Sequence, residues 1–167
     1  LDSPEGRNFA CVILDLVMPD LDGMGLLGRM RERGIDIPVI VQTAQGSIDT
    51  VVSAMRAGAT DFVVKPVGAE RMQVSLRNAI AQAALVAGDI PHSMRLFDEV
   101  MVSVTTGDVS PIPSGIIYCA VVEGCVEACD LRRAAEWTEA LRLAADVQIL
   151  DQRRTELPPV VDRIEAP

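Results

Sequence analysis

No apolar run in this chain approaches the roughly 18 residues that a membrane-crossing helix needs, and the opening LDSPEGRN has neither the basic nor the apolar stretch of a secretory signal. Basic residues are scarce, 15 against 24 acidic ones, for a net charge of -9. No basic stripe interrupts that balance. Free nucleic acid and an anionic membrane surface are therefore poor partners. His92 is the one histidine. The cysteines are Cys11, Cys119, Cys125 and Cys129, too few and too poorly supported by histidine for a zinc site. Cys125 and Cys129 are spaced to share a helix face. The cysteines read as reduced thiols in a chain apolar enough to fold without disulfides. These absences point to a cytoplasmic setting.

Hydrophobic residues make up 49% of the 167, enough for a core and too many for a disordered chain. The first half alternates apolar runs with amphipathic stretches. Ala10 to Leu14 reads as a buried strand with Asp15 at its carboxyl end. Pro19 and Gly23 punctuate a loop, and Met24 to Arg33 carries a helical pattern closed by Gly34. Ile37 to Val41 is a second strand leading to Gln42 and Thr43. Ser47 suits the N-cap of a helix that Gly58 closes. Phe62 to Val64 is a third strand, delivering Lys65 and Pro66. A helix from about Ala69 to Ala84 follows, with apolar positions at Met72, Val74, Leu76, Ile80 and Ala84 in imperfect spacing.

Strand, helix, strand, helix, strand, helix implies right-handed crossovers onto a parallel sheet. Ligands of such sheets sit beyond the carboxyl ends of the strands. Asp15, Thr43 and Lys65 all fall there. An exposed carboxylate can attack a phosphoryl group. A lysine and a hydroxyl are what the transferred group's oxygens need around them. Asp20 and Asp22 are near enough in sequence to be metal ligands, or else they solvate the loop and cap the next helix.

The stretch from about Asn8 to Ala81, with VILDLVMPDLDGMGLL and IPVIVQTAQGSIDTVVSAMRAGATDFVVKP, resembles the receiver domain of bacterial response regulators, NtrC-like ones in particular. The resemblance implies a flavodoxin-like α/β sandwich and phosphorelay signalling. It makes Asp15 the phosphoacceptor, Thr43 the switch hydroxyl and Lys65 the charged partner, followed by a cis-bonded Pro66. It places Phe62 at the family's rotating aromatic, which an ordinary core role would also explain. It implies Mg2+, bound through the Asp15 carboxylate and the Val17 carbonyl. Its partner is a histidine kinase or phosphotransfer protein, and its role is phosphoacceptor rather than turnover enzyme. Residues 1–14 hold Asp2 and Glu5 but no apolar strand ahead of the Asp15 strand. The family's magnesium-holding acidic pair and two of its strands thus find no match. Weak or absent metal binding follows, with an apolar sheet edge to be covered by a second copy or a strand-completing partner. A phosphorylation-incompetent interaction module, or a mosaic chain without independent activity, is the alternative.

Past Ala81 no G-x-x-x-x-G-K-[ST] appears, so no phosphate-binding loop of that type follows. Ser93 to Ser103 reads as a helix, TTGDVSPIPSG as a loop, Ile116 to Ala128 as a helix, and Leu131 to Ala145 as another, capped by Asp130. The segment from about Leu96 to Leu143 resembles the tetratricopeptide-like part of LuxR-type regulators. Trp137 reads as a core anchor or part of a groove, and Arg132 and Arg133 as solvent-facing. The divisions are 1–84 for the receiver-like unit, 85–147 for the helical segment and 148–167 for a tail.

Overall fold

The computed structural model describes residues 9–18, 21–44, 46–106 and 111–156. Three parallel strands form the sheet: β1 (Val12–Asp15), β4 (Val39–Thr43) and β5 (Asp61–Val64), in the order β1-β4-β5. Val12 lies opposite Val39, Asp15 opposite Gln42, and Thr43 opposite Val64. Between β1 and the first helix two short strands, β2 (Val17–Met18) and β3 (Leu21–Asp22), pair antiparallel. The sequence reading had a plain loop there. The segment is too short for a period-two pattern to register.

The two sheet faces are covered differently, because side chains alternate along each strand. Leu14, Val39, Val41 and Phe62 point to one face, against Leu27 and Met30 of α1 (Gly23–Glu32) and Ala54 of α2 (Ile48–Arg56). Ile40 and Val63 point to the other, against Met72, Leu76 and Ala79 of α3 (Ala69–Val86). Both early helices begin on side-chain caps. Asp22 accepts the N–H of Met24, and Ser47 that of Thr50. Gly34 and Gly58, at φ +67° and +96°, take the left-handed backbone that ends them.

α3 belongs to two cores at once. Val74 and Ala81 lie on its other side, packed with Met94, Phe97, Val100 and Met101 of α4 (Ile90–Thr105), Ile117, Val121 and Cys125 of α5 (Pro111–Glu127), and Ala134 of α6 (Leu131–Glu156). The imperfect spacing of its apolar residues has this cause: one helix carries two apolar faces. The α/β part and the helical part are joined through it.

Three expectations for the helical half are corrected. The chain is helical from Pro111, so the loop is shorter than TTGDVSPIPSG; prolines in a first turn lose no helical hydrogen bond. α6 runs past residue 147 to Glu156, because no glycine or proline interrupts residues 131–156; residues 157–167 lie outside the described set. Cys129 does not continue the α5 face. It takes φ 58° just past the helix end.

Trp137 packs on the helical core and its Nε1–H donates to Asp98 Oδ1 at 2.9 Å, as an anchor would. Arg133, expected in solvent, is half-buried and reaches Asp98 and Asp130 at 3.4 and 3.5 Å. Arg132 is exposed beside Glu136. The four cysteines are free thiols.

Candidate functional site

The carboxyl ends of the three strands form one rim. Asp15 ends β1, Thr43 ends β4, and Lys65 follows β5 directly. The structure brings Asp15 and Lys65 into contact: Lys65 Nζ donates to Asp15 Oδ2 in a solvent-accessible ion pair. The other carboxylate oxygen, Oδ1, accepts the backbone N–H of Val17 at 3.1 Å. The Lys65 hydrogen bond, followed by the Val17 N–H, holds the Asp15 carboxyl below the usual aspartate range. Asp15 is therefore ionised at neutral pH, as a nucleophile must be.

Thr43 is buried, and its carbonyl accepts the N–H of Lys65 at 2.8 Å, which ties the ends of β4 and β5 together. The Lys65–Pro66 peptide is cis. Phe62 is turned inward, 4% exposed, among Leu14, Val41 and Ala54. Val17, on β2, is exposed. Gly23 sets the approach of α1 to the rim. A Cβ there would stand 2.4 Å from the Asp15 carbonyl oxygen and 2.8 Å from Leu16 Cα, so no side chain fits.

A divalent cation prefers about six oxygen ligands. Among the described residues no group of three or more His, Cys, Asp or Glu converges. Asp22 is engaged as the α1 cap, and Asp20 lies outside the described residues. The described side chains supply one carboxylate, Asp15, which by itself is too little to hold the ion.

Sequence reasoning missed a buried polar cluster one strand position from Phe62. Asp61 is fully buried, and its two carboxylate oxygens accept Arg71 Nη2 at 2.8 and 2.9 Å. Ser75 donates to Oδ2 at 2.7 Å. The i, i+4 spacing of Arg71 and Ser75 opposite an apolar sheet face was the available signal.

Residues 1–77 match the model of the response regulator receiver domain. The α/β half is similar to a receiver domain over those residues. It is 46% identical over 81 residues to the regulatory protein LuxO of Vibrio cholerae, a match covering 48% of this chain and 18% of LuxO. It is 40% identical over 83 residues to the transcriptional regulatory protein FixJ of Bradyrhizobium diazoefficiens, covering 50% of this chain and 40% of FixJ. The crystal structure of the receiver domain of a putative LuxO repressor from Vibrio parahaemolyticus aligns at 36% identity and a TM-score of 0.44, over 46% of this chain and 60% of that one. The chain thus spans less than half the length of these curated relatives. Receiver domains are phosphoacceptors rather than turnover enzymes. They take their phosphoryl group from histidine kinases or phosphotransfer proteins, and magnesium near the acceptor is the family expectation. Among the described residues, no helix is long and apolar enough to cross a membrane.

Proposed function

We propose that this chain accepts a phosphoryl group on Asp15 from a histidine kinase or phosphotransfer protein, in the cytoplasm, and that the acyl phosphate alters a protein contact made through the helical half. The observation that carries the reading is the Asp15–Lys65 pair at the carboxyl ends of β1 and β5. The carboxylate attacks phosphorus as the bond to the donor nitrogen breaks, and the donor histidine leaves. Lys65 is already in place to move its charge onto a phosphoryl oxygen. Thr43 is the hydroxyl that would follow the new oxygen, with Phe62 the aromatic packed behind it. Magnesium would use the Asp15 carboxylate and the Val17 carbonyl, with its other ligands supplied from outside the described side chains. β1 is hydrogen-bonded on one side only among the described residues, and Ile13 is 47% exposed beside that edge. A second copy or a strand-completing segment would pair there. The successive packing of α4, α5 and α6 supports a tetratricopeptide-like docking surface for the helical half.

The test is exposure of the full chain to acetyl phosphate with magnesium, followed by intact mass under conditions that preserve acyl phosphates. One phosphoryl increment, absent in Asp15→Asn, is the expected result. No increment, or an equal one in the variant, refutes the assignment.

A further inference from the structure

Asp61 and Arg71 form a buried charged cluster, yet neither touches the Asp15 pair. Asp61 opens β5, three residues ahead of Val64 and four ahead of Lys65. Its Oδ1 accepts the N–H of Phe62 at 2.7 Å, while Arg71 Nη2 also donates to the Phe62 carbonyl at 3.2 Å. Both main-chain polar groups of Phe62 are thereby held by this pair. Arg71 Nη1 donates to Ser75 Oγ at 2.6 Å, and Ser75 donates to Asp61, closing the cluster. Asp61 and Ser75 are fully buried, and the Arg71 side chain is 16% exposed.

Arg71 stands in the first turn of α3, and the same helix enters the helical core further on, through Val74 and Ala81. α4, packed there, carries Asp98, the acceptor of the Trp137 indole N–H on α6. A guanidinium fork fixes both distance and angle between the groups it joins. A change in the path of β5 is therefore passed to α3 as a movement rather than absorbed by a loose contact.

We propose that Arg71 is a positioning residue. With Asp61 and Ser75 it clamps the strand that presents Lys65 to the helix that belongs to both cores, and it carries changes at the Asp15–Lys65 pair to the helical half. The phosphorylation response of that half rests on the function proposed above; the clamp itself does not. Trp137 is the chain's one tryptophan, so in the uniformly ¹⁵N-labelled chain its indole N–H is a single, unambiguous reporter on the helical half.

The test is a double-mutant cycle on the full chain, read by the indole ¹H–¹⁵N resonance. Asp15→Asn disrupts the ion pair at the rim. Asp61→Asn with Arg71→Gln keeps polar side chains on both elements but removes the charges and the guanidinium fork. The expected result is that Asp15→Asn shifts the Trp137 resonance in the parent chain and leaves it in place in the Asp61→Asn/Arg71→Gln background. No shift in the parent, or the same shift in both backgrounds, overturns the proposal. If the double replacement fails to fold, Arg71→Lys serves instead: it keeps the charge but loses the fork to Phe62, and coupling undiminished in that variant overturns the proposal. Beryllofluoride with magnesium is then added to the parent chain. Failure of resonances around Asp15 to respond refutes the phosphoacceptor reading while leaving the clamp result standing.

Discussion

Gly124 provides a demanding check on how the helical half is packed. It lies within α5, where an ideal Cβ would stand 2.4 Å from Phe97 Cε2 and 2.7 Å from Cζ. Carbon atoms settle at about 3.5–4.0 Å, so an alanine there needs the ring to retreat by about 1 Å. Phe97 is completely buried in the same cluster as Met101, Ile117 and Val121, so a retreating ring must displace packed neighbours. Overpacking of this kind costs about 1–3 kcal/mol. Glycine-to-alanine in a helix interior returns about 1 kcal/mol. Gly124→Ala should thus destabilise the chain by up to about 2 kcal/mol, a fall in melting temperature of up to roughly 8 °C for a chain of this size. The sign should reverse when the ring is removed: in a Phe97→Leu background the same replacement should stabilise by up to about 1 kcal/mol, because only the helix term remains. Thermal unfolding followed by far-ultraviolet circular dichroism, on all four chains of the cycle, measures both signs. A parent chain stabilised by Gly124→Ala would show that α4 and α5 do not meet as described.

Gly23→Ala should displace the main chain of Asp15, since the atoms in its way are backbone; acyl-phosphate formation should fall at least tenfold while overall helicity is kept, and an unchanged yield refutes the close approach. Asp15 should titrate below the usual aspartate range in a carboxyl ¹³C experiment, and Lys65→Met should raise its midpoint toward that range. Because the folded value is the depressed one, the stabilisation from this pair is present above the unfolded value and is lost as pH falls through the folded one; a midpoint unmoved by Lys65→Met removes Lys65 as the cause. Cys119 and Cys129 are exposed and should react quickly with a thiol reagent, whereas Cys125 is buried and its thiol is pushed up by that burial. Cys125 should react only on unfolding, and fast modification of all four thiols contradicts the α4–α5–α6 core.

The α/β half was legible because its signals are local. A buried parallel strand shows as an apolar run, and a polar residue ending it marks the rim; Asp15, Thr43 and Lys65 were found in this way. The helix caps Asp22, Ser47 and Asp130 were legible for the same reason, each accepting a backbone N–H two or three residues on. What escaped depends on contacts across the chain. Asp61 and Arg71 are ten residues apart on different elements, and neither residue alone signals a partner. The half-burial of Arg133 depends on Asp98, which no local pattern links to it. The end of α6 was set too early because the adjacent prolines Pro158 and Pro159 mark a stop only near themselves, and the polar residues before them tolerate a helix well.

The double role of α3 bears on what a signal at the rim can achieve. Had the helical half been tethered by a flexible linker, a change at Asp15 could reach it only by altering a surface. Instead Gly88, at φ +82°, turns the chain directly from α3 into α4, whose cap Asp89 accepts the N–H of His92. Arg77 of α3 also meets Glu99 of α4 at 3.5 Å. Such an exposed pair contributes little energy, but the buried contacts of Val74 and Ala81 with the α4 core are another matter. Interiors are close-packed and transmit displacement rather than dissipating it. Movement of α3 relative to the sheet therefore has to move α4, or else open a gap beside Phe97 and Met101. The second course sacrifices buried apolar contact at about 25 cal/mol per Å², so small displacements of α3 should carry the helical half with them as a body.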